Sequence, residues 1–370
     1  MSLHPQPISV RRGIPLRDCT TLELGGPATY FFEAMRDEEI PAALAWADQN
    51  KQPLTTVGGG SNIVVADAGL AGLVLRIGTR GIRREPVADG EVWSIAAGEN
   101  WDDIVAAAVT AELSGIECLS GIPGRCGAAP LQNIGAYGQE ISETLVQVQV
   151  IDRTTHHAAT LAADELAFAY RDSRLKRESE RWIVTGITLH LRSRQAPALR
   201  YPGLEQAVRA RGPITLASCR EAVLELRRSK SMVYDPTDPN HRSAGSFFLN
   251  PILPEAQVAA LEVDARTQGV LAPTSTIPTF PATPGCRKIP AAWLIEHSGF
   301  SRGQTEGRVG LSSRHTLALI NHGGSSTDEL LAFARTIRDG VENQFGVRLE
   351  AEPVMLGFPV PPLESADAEI

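Results

Sequence analysis

Apolar and polar positions along the chain switch between a helical and an extended period, and the predicted elements change type with them. Glu38–Asn50 carries the helical period, with Pro41 acceptable because it falls in the first turn. Leu54–Val57 is a short β-branched run that stops at Gly58-Gly59-Gly60-Ser61-Asn62 and resumes in a second apolar run, IVVAD. Extended runs follow at Gly72–Ile77 and Glu91–Glu99, then a helix from Asn100 to about Leu113. Asn100 suits its N-cap, Asp102 and Asp103 suit the positive end of its dipole, and Gly115 suits its stop.

Leu145–Asp152 and Arg181–Leu191 read as strands; in the second, Ile183, Thr185, Ile187, Leu189 and Leu191 share one face, which predicts a half-buried strand. Ser218 and Glu221 have capping-box spacing at the start of a helix to Arg228. Tyr234–Pro251 has Pro236, Pro239 and Pro251 and little periodicity, as expected of an ordered functional loop or a boundary. Further helices are predicted at Glu255–Gln268, Pro290–His297 and Thr327–Phe345, the last opened by Thr327, and strands in HTLALINH and VRLEAEPVML. The tail, PPLESADAEI, is polar and expected to fray. Interleaved helices and strands give an α/β or α+β class.

At about 100–200 residues per domain, 370 residues predict two or three domains. A composition of 43% hydrophobic and 21% charged residues is that of a globular chain rather than a disordered one. A net charge of −8 disfavours sequence-independent nucleic-acid binding, because phosphate is repelled by the bulk of such a surface. No apolar run reaches the roughly 18 residues of a membrane helix, and the first residues lack a signal-peptide core. The five cysteines (Cys19, Cys118, Cys126, Cys219, Cys286) are scattered and there is no HExxH, so the expectation is a metal-free protein of a reducing, cytoplasmic compartment with no membrane partner.

Two glycine-rich segments carry the candidate chemistry: residues 57–62 (VGGGSN) and 120–140 (SGIPGRCGAAPLQNIGAYGQE). Glycine lets backbone approach a ligand and adopt positive φ, and successive free N–H groups then form an anion cradle. The second segment places Gly121, Gly124, Gly127, Gly135 and Gly138 in apolar sequence charged only at Arg125 and Glu140, as expected of backbone wrapped around a large ligand. Neither segment fits the dinucleotide GxGxxG or the P-loop pattern.

These segments, followed in order by YRDS (170–173) with Lys176 close behind, GSFFLNP (245–251), KIPAAWLIE (288–296) and LEAEPV (349–354), resemble the UDP-N-acetylenolpyruvoylglucosamine reductase (MurB) family of peptidoglycan synthesis over nearly the whole chain. The resemblance implies an α+β, vanillyl-alcohol-oxidase/PCMH-type FAD-binding fold of two subdomains (1–77 and 78–216), a C-terminal substrate-binding domain (217–357) and a tail (358–370). It implies non-covalent FAD, NADPH as hydride donor, a UDP-sugar substrate and a monomer. By that likeness Gly58, Gly59, Gly60, Ser61 and Asn62 cradle the pyrophosphate. Gly121, Ile122, Pro123, Gly124, Gly127, Ala128, Asn133, Ile134, Gly135 and Tyr137 wrap the rest of the cofactor.

Hydride addition to an enolpyruvyl ether leaves negative charge delocalised into the carboxylate, which calls for a preorganised cation and then a proton at the α carbon. Arg171 resembles the family arginine that polarises the carboxylate, Ser246 its proton donor, and Glu352 its catalytic glutamate. Glu350 lies two residues away on the same strand face, and Ala351 and Pro353 depart from the family pattern around the acid. Tyr170, Tyr201, Lys230 and Asn250 match substrate-contacting positions, Tyr201 as in the longer type I members; His297 either reaches substrate or serves its helix end. Two rivals stand beside this reading. One is an alcohol or sugar oxidase on the same fold, with tethered flavin; the other is a flavin- or nucleotide-binding module without catalysis. The joint presence of Arg171, Ser246 and Glu352 argues against the second.

Overall fold

The computed structural model describes residues 8–363, and the chain divides into two compact units. Most of the tail predicted to fray, residues 364–370, lies outside the described residues, while Leu363 packs on the second unit and its carbonyl accepts from Arg338 Nη1 at 2.6 Å. Among the described residues no helix is long and apolar enough to cross a membrane.

The first unit comprises residues 8–15, Pro27–Gly60 and Leu70–Tyr234. It contains a four-stranded sheet in the order Arg11–Pro15, Pro27–Ala34, Leu70–Ile77, Leu54–Val57, the last three mutually parallel. The Glu39–Gln49 helix makes the crossover that parallel strands require. The second sheet runs Ala158–Ala162, Leu145–Asp152, Trp182–Ser193, Gly90–Ala96, Ile82–Val87 and is antiparallel throughout. The main core of this unit holds Trp93, Trp101, Ile104, Val148, Ile187 and their neighbours, and a smaller cluster holds Cys118, Leu204, Val208, Cys219 and Val223. The mixed topology makes the fold α+β.

Trp182–Ser193 lies between two strands and is buried on both faces over most of its length, not on one as its alternation suggested. Gly186 and Thr188, read as outward, are covered because the strand is central.

The second unit is assembled from three stretches, Leu16–Gly26, Ser61–Gly69 and residues 235–363. Ile63–Val65 pairs in parallel with Val354–Leu356, and Thr327 donates its hydroxyl to Val65 O at 2.7 Å. Helices Glu255–Thr267, Ala291–His297 and Thr327–Phe345 pack with small sheets around Phe247, Phe248, Phe333, Leu294 and Ile337. Leu22, Leu24 and Val64 complete that core from the early chain.

The helices read from Glu255 and Thr327 start there, while the capping residues of two helices differ from the sequence reading. Thr215, not Ser218, is the N-cap of Leu216–Arg228: its hydroxyl accepts from Ser218 N–H at 3.0 Å, and Ser218 answers from the third position. Ser326 caps Thr327–Phe345 in a reciprocal box with Glu329, one residue before the predicted cap. HTLALINH contracts to a strand at Leu319–Asn321, and VRLEAEPVML to Val354–Leu356 plus a bridge at Ala351.

Candidate functional site

In the first unit the Leu54–Val57 strand delivers the chain into Gly58 and Gly59, and the second glycine segment meets them there. A Cβ on Gly59 would lie 3.0 Å from Gly124 Cα, and one on Gly58 would lie 3.6 Å from Arg125 Cβ. Gly127 N–H donates to Ala97 O at 2.8 Å, so closely that a Cβ there would be 2.5 Å from Ala97 Cβ. The sequence thus uses glycine where backbone packs on backbone, leaving a side-chain-free wall of the kind that an extended, anionic cofactor needs. The residues present fit an FAD. Cys126 is fully buried in this wall, and desolvation pushes its thiol above the usual range, so it stays protonated.

Arg171, Asn133 and Tyr137 all take left-handed backbone (φ +55°, +42° and +51°), a strained conformation that clusters at functional positions. Arg171 reaches back to the glycine segment, where its Nη2 donates to Gly135 O at 2.8 Å. Lys176 Nζ donates to Arg171 O at 3.0 Å, and the guanidinium lies 5.7 Å from the centre of the Tyr170 ring. Tyr201 sits at the N-cap of Pro202–Arg209, a helix missing from the sequence reading, and its ring meets Tyr137 edge-on at 5.5 Å. Within one unit, Arg171 thus contacts Gly135 and Tyr170, while Tyr137, two residues after Gly135, contacts Tyr201.

Asn133 is engaged inside the protein. Its Nδ2 donates to Glu140 Oε2 (2.7 Å) and Ala169 O (3.2 Å), and its Oδ1 accepts from Ser142 N–H (3.2 Å). Asn133→Ala should lower stability by about 1–2 kcal/mol, because the buried Asn133 side chain gives up three hydrogen bonds that brace the segment. Thermal melting with and without added FAD checks this: a loss of the same size in both marks Asn133 as a brace of the segment.

One residue of this region was passed over. Arg227, beside Lys230 at the end of Leu216–Arg228, has a buried Nε without a hydrogen bond and Nη2 donating to Met232 O at 2.7 Å. Desolvation holds it below the usual arginine range; Tyr137, Arg171 and Asp102 are its charged or titratable neighbours. Desolvation, then repulsion from Arg227, also lowers Lys230, although that residue as a whole is exposed. The signal was available: Arg220 and Arg227 are seven apart, on one helix face.

In the second unit Gly245 takes φ +74° and sends Ser246, half-buried, into an antiparallel ladder. Leu249 N–H donates to Glu350 O and Glu352 N–H to Phe247 O, both at 2.9 Å, with Phe248 bridged to Ala351. Phe247 and Phe248 are 1% exposed and fix this pairing. Glu352 thus stands opposite Phe247, the residue after Ser246, across this short pairing. Asn62 meets the second of these segments, its Nδ2 donating to Glu352 O at 3.4 Å and its own carbonyl accepting from Val354 N–H at 3.0 Å. Glu350 is exposed where Glu352 is half-buried, which separates the two acids. Asn250 Oδ1 accepts from Ala291 N–H at 2.8 Å and so holds the start of the next helix, which leaves its Nδ2 for other partners. His297 Nδ1 contacts Trp293 O at 2.8 Å and its ring stacks on Trp293 at 4.0 Å, a role at its helix end. Ser61 belongs to this unit, so the boundary between units falls inside the first glycine motif, after Gly60.

A glycine-lined backbone wall in the first unit suits a large anionic cofactor, and residues 28–158 match the family model described as FAD binding domain. The protein is an FAD-binding oxidoreductase of α+β fold. Residues 236–356 match the model described as UDP-N-acetylenolpyruvoylglucosamine reductase, C-terminal domain. The chain is 47% identical over 353 residues to the UDP-N-acetylenolpyruvoylglucosamine reductase of Thermobifida fusca (strain YX), covering 94% of this chain and 98% of that one. It is 46% identical over 351 residues to the enzyme of that name from Streptomyces avermitilis, covering 93% and 94%. The crystal structure of UDP-N-acetylenolpyruvylglucosamine reductase (MurB) from Thermus caldophilus shares the fold, with a TM-score of 0.63 at 24% identity over 95% of this chain and 99% of that one. The chain belongs to the UDP-N-acetylenolpyruvoylglucosamine reductase family.

Proposed function

We propose that the chain reduces the enolpyruvyl ether of UDP-N-acetyl-3-O-(1-carboxyvinyl)-glucosamine to the lactyl ether of UDP-N-acetylmuramate, using NADPH, as a cytoplasmic monomer. The glycine segments around Gly59, Gly124 and Gly127 would hold FAD, which would supply the two-electron hydride chemistry between NADPH and the vinyl ether. Everything else falls to side chains. The planar fork of Arg171 suits bidentate binding of the substrate carboxylate and stabilises the charge that spreads into it. Ser246 donates the proton to the α carbon, and Glu352 is assigned to the carboxylate end of the same intermediate. Lys230 offers the diphosphate a point charge, with Tyr170, Tyr201 and Asn250 as further contacts.

The observation that carries this reading is the close packing of the two glycine segments, Gly59 against Gly124, with Arg171 reaching back to Gly135 O at 2.8 Å. The test is the visible spectrum of the purified protein. NADPH should bleach its flavin bands and the enolpyruvyl sugar nucleotide should restore them; a flavin that NADPH leaves oxidised overturns the reading. Both reactants need the same flavin position, so initial-rate lines at several fixed NADPH concentrations should be parallel, with inhibition at high substrate. Intersecting lines would count against a shared cleft.

A further inference from the structure

The first turn of the Trp101–Thr110 helix grips the start of the second glycine segment at successive points. Trp101 Nε1 donates to Leu119 O and its N–H to Gly124 O, both at 3.1 Å. Between them, Asp102 Oδ1 accepts from Gly121 N–H at 2.6 Å. The same carboxylate takes both arms of Arg220, Nη1 to Oδ1 at 2.6 Å and Nη2 to Oδ2 at 2.8 Å. One side chain therefore joins the glycine segment to the Leu216–Arg228 helix. On the other side of Gly121 the same helix closes in, for a Cβ there would lie 2.9 Å from Leu224 Cδ2 and 3.4 Å from Arg227 Nε. Arg227 stands two turns beyond Arg220, and Lys230 follows it.

We propose that Asp102 and Arg220 are positioning residues of the reductase site: their forked pair fixes the cationic end of the Leu216–Arg228 helix, Arg227 and Lys230, against Gly121. In this way they set where an anionic UDP-sugar engages. The inference rests on the function proposed above. A bidentate guanidinium–carboxylate pair fixes direction as well as distance, so it can hold the far end of a helix in register where a single contact would let it pivot. Among the described residues Asp102 is also the carboxylate whose charge bears on Arg227, and this gives the test a sign. If Asp102 acted only through its charge, removing it would leave the cations less neutralised and tighten anion binding. If it positions them, binding weakens.

The experiment compares wild type, Asp102→Asn and Arg220→Lys as FAD-loaded full chains. Steady-state KM for the enolpyruvyl UDP-sugar, kcat and inhibition by UDP are read together with flavin content and melting temperature. The expected result for Asp102→Asn is a KM and a UDP inhibition constant raised about tenfold, kcat within about threefold of wild type and flavin retained. Arg220→Lys keeps the charge but not the fork, and should shift in the same direction by less. A lowered UDP inhibition constant in Asp102→Asn, or a lowered melting temperature with KM unchanged, overturns the proposal. If Asp102→Asn does not fold, Arg220→Lys decides it by the same split. Wild-type protein that neither turns over the sugar nucleotide nor binds UDP fails the functional reading; wild type that does both, with variants equal to it, fails the clamp.

Discussion

Ser246→Ala should slow reoxidation of reduced flavin by the enolpyruvyl substrate about 10²–10⁴-fold, the usual contribution of a positioned general acid. Reduction of the flavin by NADPH should proceed at the wild-type rate, since that half-reaction needs no proton at the α carbon. Stopped-flow spectroscopy reads the two halves separately. The backbone around Ser246 predicts a clean variant: its position is set by Gly245 at φ +74° and by the burial of Phe247 and Phe248, not by its hydroxyl. Folding and flavin content should therefore be unchanged. A variant that reoxidises at the wild-type rate removes Ser246 from the mechanism and leaves Glu352 as the donor to examine.

Arg171→Asn should cost about 10²–10³-fold in kcat for the same half-reaction, comparable with the loss of one preorganised donor to a developing anion. Asparagine is the informative replacement because Arg171 has φ +55°, a region that asparagine tolerates better than methionine or lysine. Any effect then reports on the lost cation rather than on backbone strain. The variant also releases Gly135 O, which accepts from Arg171 at 2.8 Å, so flavin absorbance should be recorded alongside rate. Flavin reduced normally by NADPH but oxidised slowly by substrate is the expected signature. Equal loss in both half-reactions would instead place Arg171 among the braces of the glycine segment.

Much of the site was legible because its chemistry is written in glycine. A bare Gly58-Gly59-Gly60 after a β-branched run, and glycines at 121, 124 and 127 in apolar sequence, have no cheap explanation except backbone meeting backbone, and Gly59 does meet Gly124. Local pattern found the strongly periodic elements, such as Leu145–Asp152 and the Asn100-capped helix. It missed Ile82–Val87, whose residues are all exposed and so show no buried face, and Pro202–Arg209, which is short and opens on a tyrosine without a side-chain cap. Arg227 escaped because one arginine among several at a helix end looks solvated until the fold buries it.

What no local pattern carries is pairing at long range. The partner of Val354–Leu356 is Ile63–Val65, nearly the whole chain away, and Asn62 meets Glu352 only because of it.

That interleaving limits how the protein can be taken apart or made. A fragment cut at residues 236–356, the span of the C-terminal family match, would be born without Leu22, Leu24 and Val64 and with its last strand unpartnered. Such a truncation should come out of expression as aggregate rather than as a separable module. On the ribosome the same arithmetic makes two early stretches wait, exposed, until the end of the message has been read.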